Sequence, residues 1–421
     1  MAEKLIPLDD AQSIVLSHVA PTDLVEIPVW QAAGLPLAKD AVADIDISPF
    51  ANSAMDGYAV RSADLVQASG EAPVTLDVIG HEAAGHVFEG AIGAGETVRI
   101  MTGAPVPEGA DAVVKYEIVE VLDGDGNEGS HVSFSAPAKV GENVRSAAEE
   151  AHAGDVVMRA GEVVAPAGAG LLASAGYASV KVHAAPRVGI ISLGTELVAP
   201  SKVPARGQIR DSNSSALMAE ALDAGAEPVF YGIAPDDEQA IAGLVHRAVR
   251  ECDFVITSGG ASAGDYDFVT ALVRREGEVL FDRISMRPGK AITFGLFGGK
   301  PYLGLSGNPA AAYVGFEMLA RPAIRKMRGF AEGGVRPVQR ATLTHSVKKR
   351  QHRRFFDRAT VLRDPETGEL LVTEAKTQNS ALLGTMQRAN CLLRIDEGPC
   401  DFKAGDVVDV VRVDLPEGAV L

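Results

Sequence analysis

The segment VITSGGASAGDYD, residues 255–267, joins a run of apolar β-forming residues to a loop of small residues and two carboxylates. Glycine lets backbone amides approach a bound anion closely, as they do in phosphate-binding loops. Asp265 and Asp267, at the end of the loop, would repel the same anion unless a divalent cation lay between them. The residue types therefore predict that this loop binds a phosphate-like anion together with a divalent metal ion.

Two other loops have the same character and are expected to lie beside this one. SLGTEL carries Glu196, and LSGNPAA carries Gly307 and Asn308 before a helix that Pro309 is expected to open. Each loop follows a predicted strand, and the ligands of an open α/β sheet bind outside the carboxyl ends of its strands. One glycine-rich turn is usually only a tight connection. Three on one edge of a sheet favour a binding site.

Two basic segments are candidates for binding an anion. RISMRPGK carries Arg283, Arg287 and Lys290, and an exposed charged loop is an equally good interpretation of this segment on its own. KKRQHRR, residues 348–354, is instead predicted to be a solvated strand edge. The net charge of -17 disfavours nucleic acid and anionic membranes as main partners of the chain.

The composition is that of a soluble protein with several domains. The chain has 421 residues, too many for one ordinary core, and 47% of them are apolar. Its three cysteines are too few and too scattered for a disulfide framework or a metal site, so reduced thiols are expected. The N-terminal stretch mixes acids with an amphipathic pattern, and no apolar run reaches the length of a membrane span. These features predict a cytoplasmic protein.

The hydrophobic pattern divides the chain into segments of different secondary structure. Strands and helices alternate over residues 184–330, which predicts a doubly wound parallel α/β domain. Short strands broken by Gly, Pro and Asp predict a β-rich insertion domain over residues 49–140. Residues 331–421 are predicted to form a C-terminal β domain, and residues 1–48 and 141–183 a helical and extended N-terminal domain.

Two local patterns predict helical structure outside the α/β domain. Residues 9–19 have a helical pattern, with the first or second aspartate of DD as the N-terminal cap. GENVRSAAEE places Arg145, Glu149 and Glu150 where one helical turn would bring them together. A surface ion pair is the simplest interpretation of that turn.

Taken in order, these motifs resemble the molybdopterin molybdenumtransferase family, which includes bacterial MoeA and the C-terminal domain of gephyrin. The resemblance covers nearly the whole chain. It rests on NSAMDGYAV, RIMTGAPVPEGADAVV, GENVR, GQIRDSNSSAL, SGGASAGDYD, RPGK and SGNP, which all occur in family order. The first two motifs are highly specific, whereas GNP and RPGK would be weak signals alone.

The resemblance implies the last step of molybdenum-cofactor synthesis. Adenylylated molybdopterin is bound, its link to AMP is hydrolysed, and molybdate is inserted at the dithiolene sulfurs. The resemblance also implies Mg²⁺ and a homodimer, held by the N-terminal domain, whose active site is shared between subunits. The molybdopterin adenylyltransferase is a further candidate partner, and the α/β domain is similar to the fold of that enzyme.

The family's functional positions can be carried over motif by motif. The resemblance implies catalytic roles for Asp56, Thr102, Arg145, Glu149, Glu150, Glu196, Asp236 and Asp267, with Asp267 as the magnesium ligand. It implies substrate binding by Ser212, Asn213, Ser258, Gly259, Gly260, Ser262, Gly264, Arg283, Arg287, Lys290, Gly307, Asn308, Pro309 and Ser380.

Several positions depart from the family pattern. Ala148 and Glu150 stand where the family has Gly-x-Asp, and Arg287 replaces a lysine. Ser306 and Asn379 replace a proline and a glycine. These departures leave three further hypotheses: a paralogue that inserts tungstate, an enzyme that acts on another adenylylated pterin, and a scaffold without catalysis. The retained acidic residues favour an enzyme, because a scaffold needs none of them.

Overall fold

A computed structural model of the chain describes residues 5–260, 268–331 and 336–416. The chain divides into two compact units. Ile27–Val180 form the first, which we call the insertion unit, and the described residues before and after it form the main unit. The boundaries of the four segments predicted above stay a prediction. No helix within the described residues is both long enough and apolar enough to cross a membrane.

Most of the helices lie in the main unit. Within the described residues they are α1 Leu8–Ser17, α2 Pro166–Ser174, α3 Asn213–Asp223, α4 Glu238–Glu251, α5 Phe268–Glu276, α6 Pro309–Gly315, α7 Arg321–Met327 and α8 Gly384–Gln387. A π-helical turn, Phe316–Ala320, joins α6 to α7, so the helix that Pro309 is expected to open continues to Met327. Short 3₁₀ turns occupy Val29–Ala32, Ser62–Leu65 and Tyr116–Ile118.

The strands fall into two series along the chain. The first series is β1 Leu24–Pro28, β2 Ala41–Val42, β3 Asn52–Ser53, β4 Gly57–Val60, β5 Val74–Glu82, β6 Glu96–Ile100, β7 Ala112–Lys115, β8 Glu120–Asp123, β9 His131–Phe134, β10 Val144–Arg145, β11 Val156–Met158 and β12 Ser179–His183. The second is β13 Arg187–Leu193, β14 Leu197–Val198, β15 Ile209–Arg210, β16 Glu227–Ala234, β17 Phe254–Ser258, β18 Gly277–Arg283, β19 Met286–Arg287, β20 Ala291–Phe297, β21 Lys300–Leu305, β22 Val338–Leu343, β23 Val347–Lys349, β24 Arg354–Arg363, β25 Leu370–Glu374, β26 Cys391–Ile395, β27 Cys400–Phe402 and β28 Val407–Arg412.

A six-stranded sheet in the order β7-β4-β6-β5-β9-β8 forms the core of the insertion unit. In β5, VTLDVIGHE, apolar residues alternate with polar ones, and Leu76 and Val78 enter the core with Tyr58 of β4. This alternation is what a strand with one buried face requires. The predicted β-rich character of this part of the chain is confirmed.

The predicted helical turn at GENVRSAAEE is wrong. Arg145 instead lies in β10, which pairs antiparallel with β3. The amides of Ala148 and Glu150 donate to the carbonyls of Ser48 and Ile47. Pairing with a distant segment therefore replaces the helical turn, because it satisfies the backbone groups that a helical turn would have used.

The main sheet of the main unit has the order β16-β13-β17-β21-β20-β18. Its first four strands are parallel, and β20 and β18 add an antiparallel edge. Alternate residues of β13 enter different cores: Val188 and Ile190 pack with α3, α6 and α7, whereas Ile191 and Leu193 pack with α4 and α5. Helices thus cover both faces of the sheet, and the predicted doubly wound α/β domain is confirmed.

The C-terminal part of the main unit is a small closed barrel. The strands run in the order β24-β25-β22-β28-β26, and the barrel closes because β26 also pairs with β24. The two-residue strand β19 pairs in parallel with the first two residues of β24, with Met286 opposite Arg354 and Arg287 opposite Phe355. The RPGK segment of the α/β domain is therefore anchored to the barrel.

The predicted cap of the first helix is wrong. Helix α1 begins after Pro7, and no side chain caps it. The Asp9 carboxylate instead accepts two hydrogen bonds from the Arg354 guanidinium, at 2.6 and 3.0 Å. The paired guanidinium holds the pKa of Asp9 below its usual range. A bidentate partner from the barrel is a stronger hydrogen-bond donor than the helix's own amides.

Candidate functional site

A cavity of about 1140 Å³ lies at the carboxyl ends of β13, β17 and β21 in the main unit. This volume is ample for a ligand of cofactor size. The described parts of the three predicted loops meet here, because their strands are neighbours in the sheet. The predicted residues that line the cavity are Glu196, Ser212, Asn213, Asp236, Ser258, Gly259, Gly260, Arg287, Lys290, Gly307, Asn308, Pro309 and Ser380.

Short hydrogen bonds fix the loops that form the floor of the cavity. The Asn213 side-chain amide donates to the Ser258 hydroxyl at 2.7 Å and to the Gly307 carbonyl at 2.9 Å. Gly259 has a φ of 94°, and a Cβ there would lie 2.2 Å from the Leu193 carbonyl oxygen. Only glycine fits this close approach. The floor is thus a fixed surface of amides and small hydroxyls.

Carboxylates line the wall of the cavity that follows β13 and β16. The backbone amide and hydroxyl of Thr195 donate to Asp236 at 3.3 and 3.1 Å. Asp211 is buried and accepts a bond from the Ser214 amide at the start of α3. In the part of the chain that the structure describes, the Glu196 carboxylate has no hydrogen-bond or ion-pair partner. We call Glu196, Asp211 and Asp236 the acidic wall.

Guanidinium groups and a lysine line the other side of the cavity, beyond β20. We call this set, Arg287, Lys290, Arg353 and Arg358, the basic wall. The Arg287 guanidinium stacks on the Phe355 ring, 4.5 Å from its centroid. Asp236 follows β16, at one edge of the main sheet, whereas Lys290 precedes β20, next to the opposite edge strand β18.

Arg358 is the most deeply buried member of the basic wall. Its side chain is fully buried, its Nε donates to the Thr385 hydroxyl at 3.1 Å, and one Nη donates to the Asn379 carbonyl at 3.0 Å. The other nitrogen, Nη1, is buried and has no hydrogen-bond partner among the described residues. A buried donor without a partner is unfavourable unless a ligand satisfies it. Arg358 is therefore the member of the basic wall whose guanidinium the described residues leave partly unsatisfied.

Asp357 places a carboxyl group among these cations. Its side chain is 5% exposed and lines the cavity. Burial, and next the neighbouring Glu374 carboxylate, raise the pKa of Asp357 to about 7, whereas Arg287 and Arg358 oppose the rise. This carboxyl group thus holds a proton far more readily than an exposed aspartate does.

Sequence reasoning missed the place of Arg353, Asp357 and Arg358 at the site. The predicted solvated strand edge at residues 348–354 fits Lys348 and Arg350, which are exposed, but is wrong for Lys349 and Arg354, which are buried. Lys349 is 1% exposed, and its ammonium donates to the Arg353 carbonyl at 2.8 Å. The signal was present in RFFDRA, the start of β24, where charged residues interrupt an apolar strand. Charges that a strand carries into a core require partners or a ligand.

Asp56 and Thr102 lie together in the insertion unit. The backbone amide and the hydroxyl of Thr102 both donate to one Asp56 oxygen, at 2.7 and 2.8 Å. The backbone bond and then the hydroxyl bond hold the pKa of Asp56 below its usual value. Two motifs that are 46 residues apart thus form one polar site.

The remaining predicted residues lie elsewhere. Arg145 is opposite Asn52 in the pair of β10 and β3, and Glu149 follows in an exposed turn. Glu150 lines a separate cavity of about 540 Å³ in the insertion unit. Arg283 ends β18 and does not line the large cavity.

Ser262, Gly264 and Asp267 lie outside the described residues. Within residues 5–260, 268–331 and 336–416, no group of three or more His, Cys, Asp or Glu side chains is arranged to hold a metal ion. The roles predicted for all these residues stay predictions.

Family models match three parts of the chain. The MoeA N-terminal region (domain I and II) matches residues 6–176, a probable molybdopterin binding domain matches residues 189–326, and the MoeA C-terminal region (domain IV) matches residues 340–413. A molybdopterin molybdenumtransferase of Bacillus subtilis is 38% identical over 91% of this chain and 88% of its own length. The chain belongs to the molybdopterin molybdenumtransferase family.

Other members of the family agree over the full length. The molybdopterin molybdenumtransferase of Haemophilus influenzae is 36% identical and covers 96% of this chain and 98% of its own length. The crystal structure of a molybdopterin biosynthesis MoeA protein from Pyrococcus horikosii is 31% identical, with a TM-score of 0.82. It covers 97% of this chain and 99% of that one. The predicted family and the multidomain fold with a C-terminal β domain are confirmed.

Proposed function

We infer that this protein is a molybdopterin molybdenumtransferase, an enzyme that inserts molybdenum into molybdopterin. We further propose that its substrate is adenylylated molybdopterin, that it hydrolyses the link to AMP, and that molybdate is the source of the metal. The single observation that carries these finer proposals is one cavity that both the acidic wall and the basic wall line.

The basic wall suits a doubly charged oxyanion. Such an ion is strongly hydrated, so a site must replace its water with several charged or hydroxyl donors. Arg358 offers a buried nitrogen without a partner, and Arg287 and Ser380 line the same cavity. We assign molybdate to these residues and to Lys290.

The floor and the acidic wall suit the adenylate end of the substrate. Phosphates bind readily to backbone amides of glycine loops and helix starts, and the loops at Gly259 and Ser212 line the floor. Carboxylates beside a phosphate require a cation between them. Hard oxygen donors are the ligands that Mg²⁺ prefers, and the Glu196 carboxylate has no partner in the described residues. The donor set therefore fits Mg²⁺.

We propose that Glu196 and Asp236 hold Mg²⁺ together with Asp267. When bound, the ion supplies positive charge that neutralises phosphoryl oxygens. The Thr195 amide and hydroxyl orient Asp236, so this carboxylate meets the ligand in one fixed direction. The floor excludes water from the phosphates by placing amides against them.

Release of AMP from adenylylated molybdopterin tests the proposed function. Purified protein with Mg²⁺ and molybdate should release AMP, and EDTA should stop the reaction. Asp267→Asn should lower the rate by about 10- to 100-fold, because an amide is a poorer ligand for a hard cation. AMP release that survives in both EDTA and the variant would refute the metal assignment, and no release by the wild type would refute the hydrolysis itself.

We propose a homodimer whose active site takes residues from both subunits. Asp56 and Thr102 belong to the insertion unit, whereas the large cavity belongs to the main unit. Mixing inactive Asp56→Ala and inactive Asp267→Ala proteins should restore part of the activity, because each heterodimer would contain one intact site. AMP release after subunit exchange is the measurement. A mixture that exchanges subunits and stays inactive would contradict the shared site.

The hypotheses of a tungstate-inserting paralogue, another pterin and a scaffold are not favoured. The curated relatives that align over most of the chain are named molybdopterin molybdenumtransferases. A scaffold would also have no need for a buried guanidinium nitrogen that lacks a partner. The cytoplasmic location and the adenylyltransferase partner stay predictions.

A further inference from the structure

Asp357 lies where the barrel opens into the large cavity. Along β24, Phe355 and Ala359 point into the barrel core, and Asp357 occupies the alternate position between them. Its side chain is nonetheless among those that line the cavity. A carboxyl group therefore extends from the barrel interior to the place assigned to the oxyanion.

A chain of polar side chains connects Asp357 to the barrel surface. Glu374 lies on β25, which pairs with β24, and its carboxylate helps to raise the pKa of Asp357. Glu374 also contacts the His345 ring, whose Nε2 lies 3.0 Å from a Glu374 oxygen. The His345 side chain is 37% exposed. These polar groups therefore extend from solvent to the cavity.

Asp357 and Glu374 are two carboxyl groups close enough to affect each other. Two like charges in a buried place disfavour ionisation of both groups, so Asp357 holds its proton more readily beside Glu374. The charged groups that face Asp357 are Glu374, which favours its neutral form, and Arg287, Arg358 and Lys349, which favour its charged form. Molybdate bound on the basic wall would add two negative charges and would favour the neutral acid further.

We propose that Asp357 binds the oxyanion as a neutral acid and donates a proton to one of its oxygens during molybdenum insertion. Glu374 and His345 load that proton from solvent before the oxyanion arrives. This inference rests on the proposed function, since it assumes that an oxyanion occupies the basic wall. Asp357 is then a general acid for the leaving oxygen.

The step balances without an oxidant or a reductant. Two Mo–S bonds form, one Mo–O bond breaks, and the oxygen leaves as water. Two thiol S–H bonds also break, and their protons equal the two that water carries away. Asp357 gives its proton to the oxygen and takes one back from a thiol, while molybdenum keeps its oxidation state.

The test is molybdate binding to the full chain without pterin, measured by calorimetry between about pH 6 and about pH 9 in buffers of different ionisation enthalpy. Wild type should take up about one proton per molybdate at the upper end, and its affinity should fall about tenfold per pH unit there. Asp357→Asn should keep the shape of the side chain, lose the proton uptake and bind with an affinity that changes little with pH. Its insertion rate should fall by about 10²- to 10⁴-fold.

Two further variants separate titration from simple packing. Glu374→Gln removes the charge that favours the neutral acid, so the fall in molybdate affinity should begin at a lower pH than in wild type. Asp409→Asn makes the same chemical change on β28 of the barrel, away from the cavity, and should leave the pH dependence unchanged.

The outcomes distinguish this inference from the proposed function. Equal proton uptake in wild type and Asp357→Asn overturns the role of Asp357, and so does an unshifted midpoint in Glu374→Gln. If Asp357→Asn does not fold, the Glu374→Gln midpoint decides alone. Absence of molybdate binding by wild type overturns the oxyanion assignment and this inference together, while AMP release still tests the hydrolysis independently.

Discussion

Replacing Arg358 with methionine should lower molybdate-dependent AMP release by about 10²- to 10³-fold, as expected for loss of one charged donor in a buried site. Methionine fills most of the same volume but cannot donate a hydrogen bond. The lost group includes the buried Nη1, which has no hydrogen-bond partner within the part of the chain that the structure describes. The measurement is the rate of AMP release as molybdate is titrated, compared with release in the absence of oxyanion.

Two controls show whether the loss comes from the oxyanion or from the fold. Arg358 also donates to the carbonyl of Asn379, next to Ser380, so its loss could displace that loop. Arg358→Lys keeps the charge without the planar fork and should recover only part of the rate. Arg363→Met, at the exposed end of the same strand, should behave as wild type. A methionine variant with a normal molybdate response would show that the oxyanion binds elsewhere.

The sequence predicted those parts of the site that follow from local patterns. Strands β13, β17 and β21 are apolar runs that end in small residues, and neighbouring parallel strands necessarily bring such ends together. Glu196, Gly259 and Asn308 therefore line the cavity as expected.

The basic wall could be predicted only in part, because long-range pairing builds it. Arg353 and Arg358 reach the cavity because β19 pairs with β24, two strands that are more than sixty residues apart. No local sequence pattern near residue 353 predicts that pairing. The same reason explains why α1 lacks the predicted cap. Local sequence rules make Asp9 a capping residue, but its carboxylate instead accepts a hydrogen bond from Arg354 of the barrel.

The backbone conformation of Ala148 could be expected from the family pattern but not from this sequence alone. The residue has a φ of 55°, in the left-handed region that favours glycine. The family pattern has glycine at this position. The departure therefore exchanges a residue that suits the backbone for one that strains it, whereas the helical pattern of the neighbouring residues gave no sign of the turn.

A buried charge cluster in the main unit should give opposite stability effects on substitution. Glu220 of α3 is fully buried, and neither of its carboxyl oxygens has a hydrogen-bond partner. Burial, followed by the nearby Glu317 carboxylate, raises the pKa of Glu220 well above its usual value. Glu317 is also buried but accepts two hydrogen bonds from the Arg336 guanidinium, at 3.0 and 3.1 Å.

Glu220→Met should raise the free energy of unfolding, and the gain should grow with pH. A carboxyl group whose folded pKa is raised stabilises the fold fully only below its unfolded pKa of 4.5, and that contribution is lost as the pH rises through the folded value. Replacing the Glu220 carboxyl group therefore removes this loss of stability at higher pH. We expect a gain of about 1–4 kcal/mol at about pH 8 and a smaller one at about pH 5.

Arg336→Met is the matched opposite case, because it leaves the buried Glu317 without its bidentate partner. Its free energy of unfolding should fall by about 3–5 kcal/mol. Urea unfolding followed by circular dichroism at the helix band reports mainly on the main unit, where all helices of the described residues except α2 lie. A Glu220→Met protein that is less stable than wild type at the higher pH would mean that the carboxyl group has a binding partner in solution. The sign of the change in the free energy of unfolding on Glu220→Met therefore shows whether Glu220 destabilises or stabilises the fold.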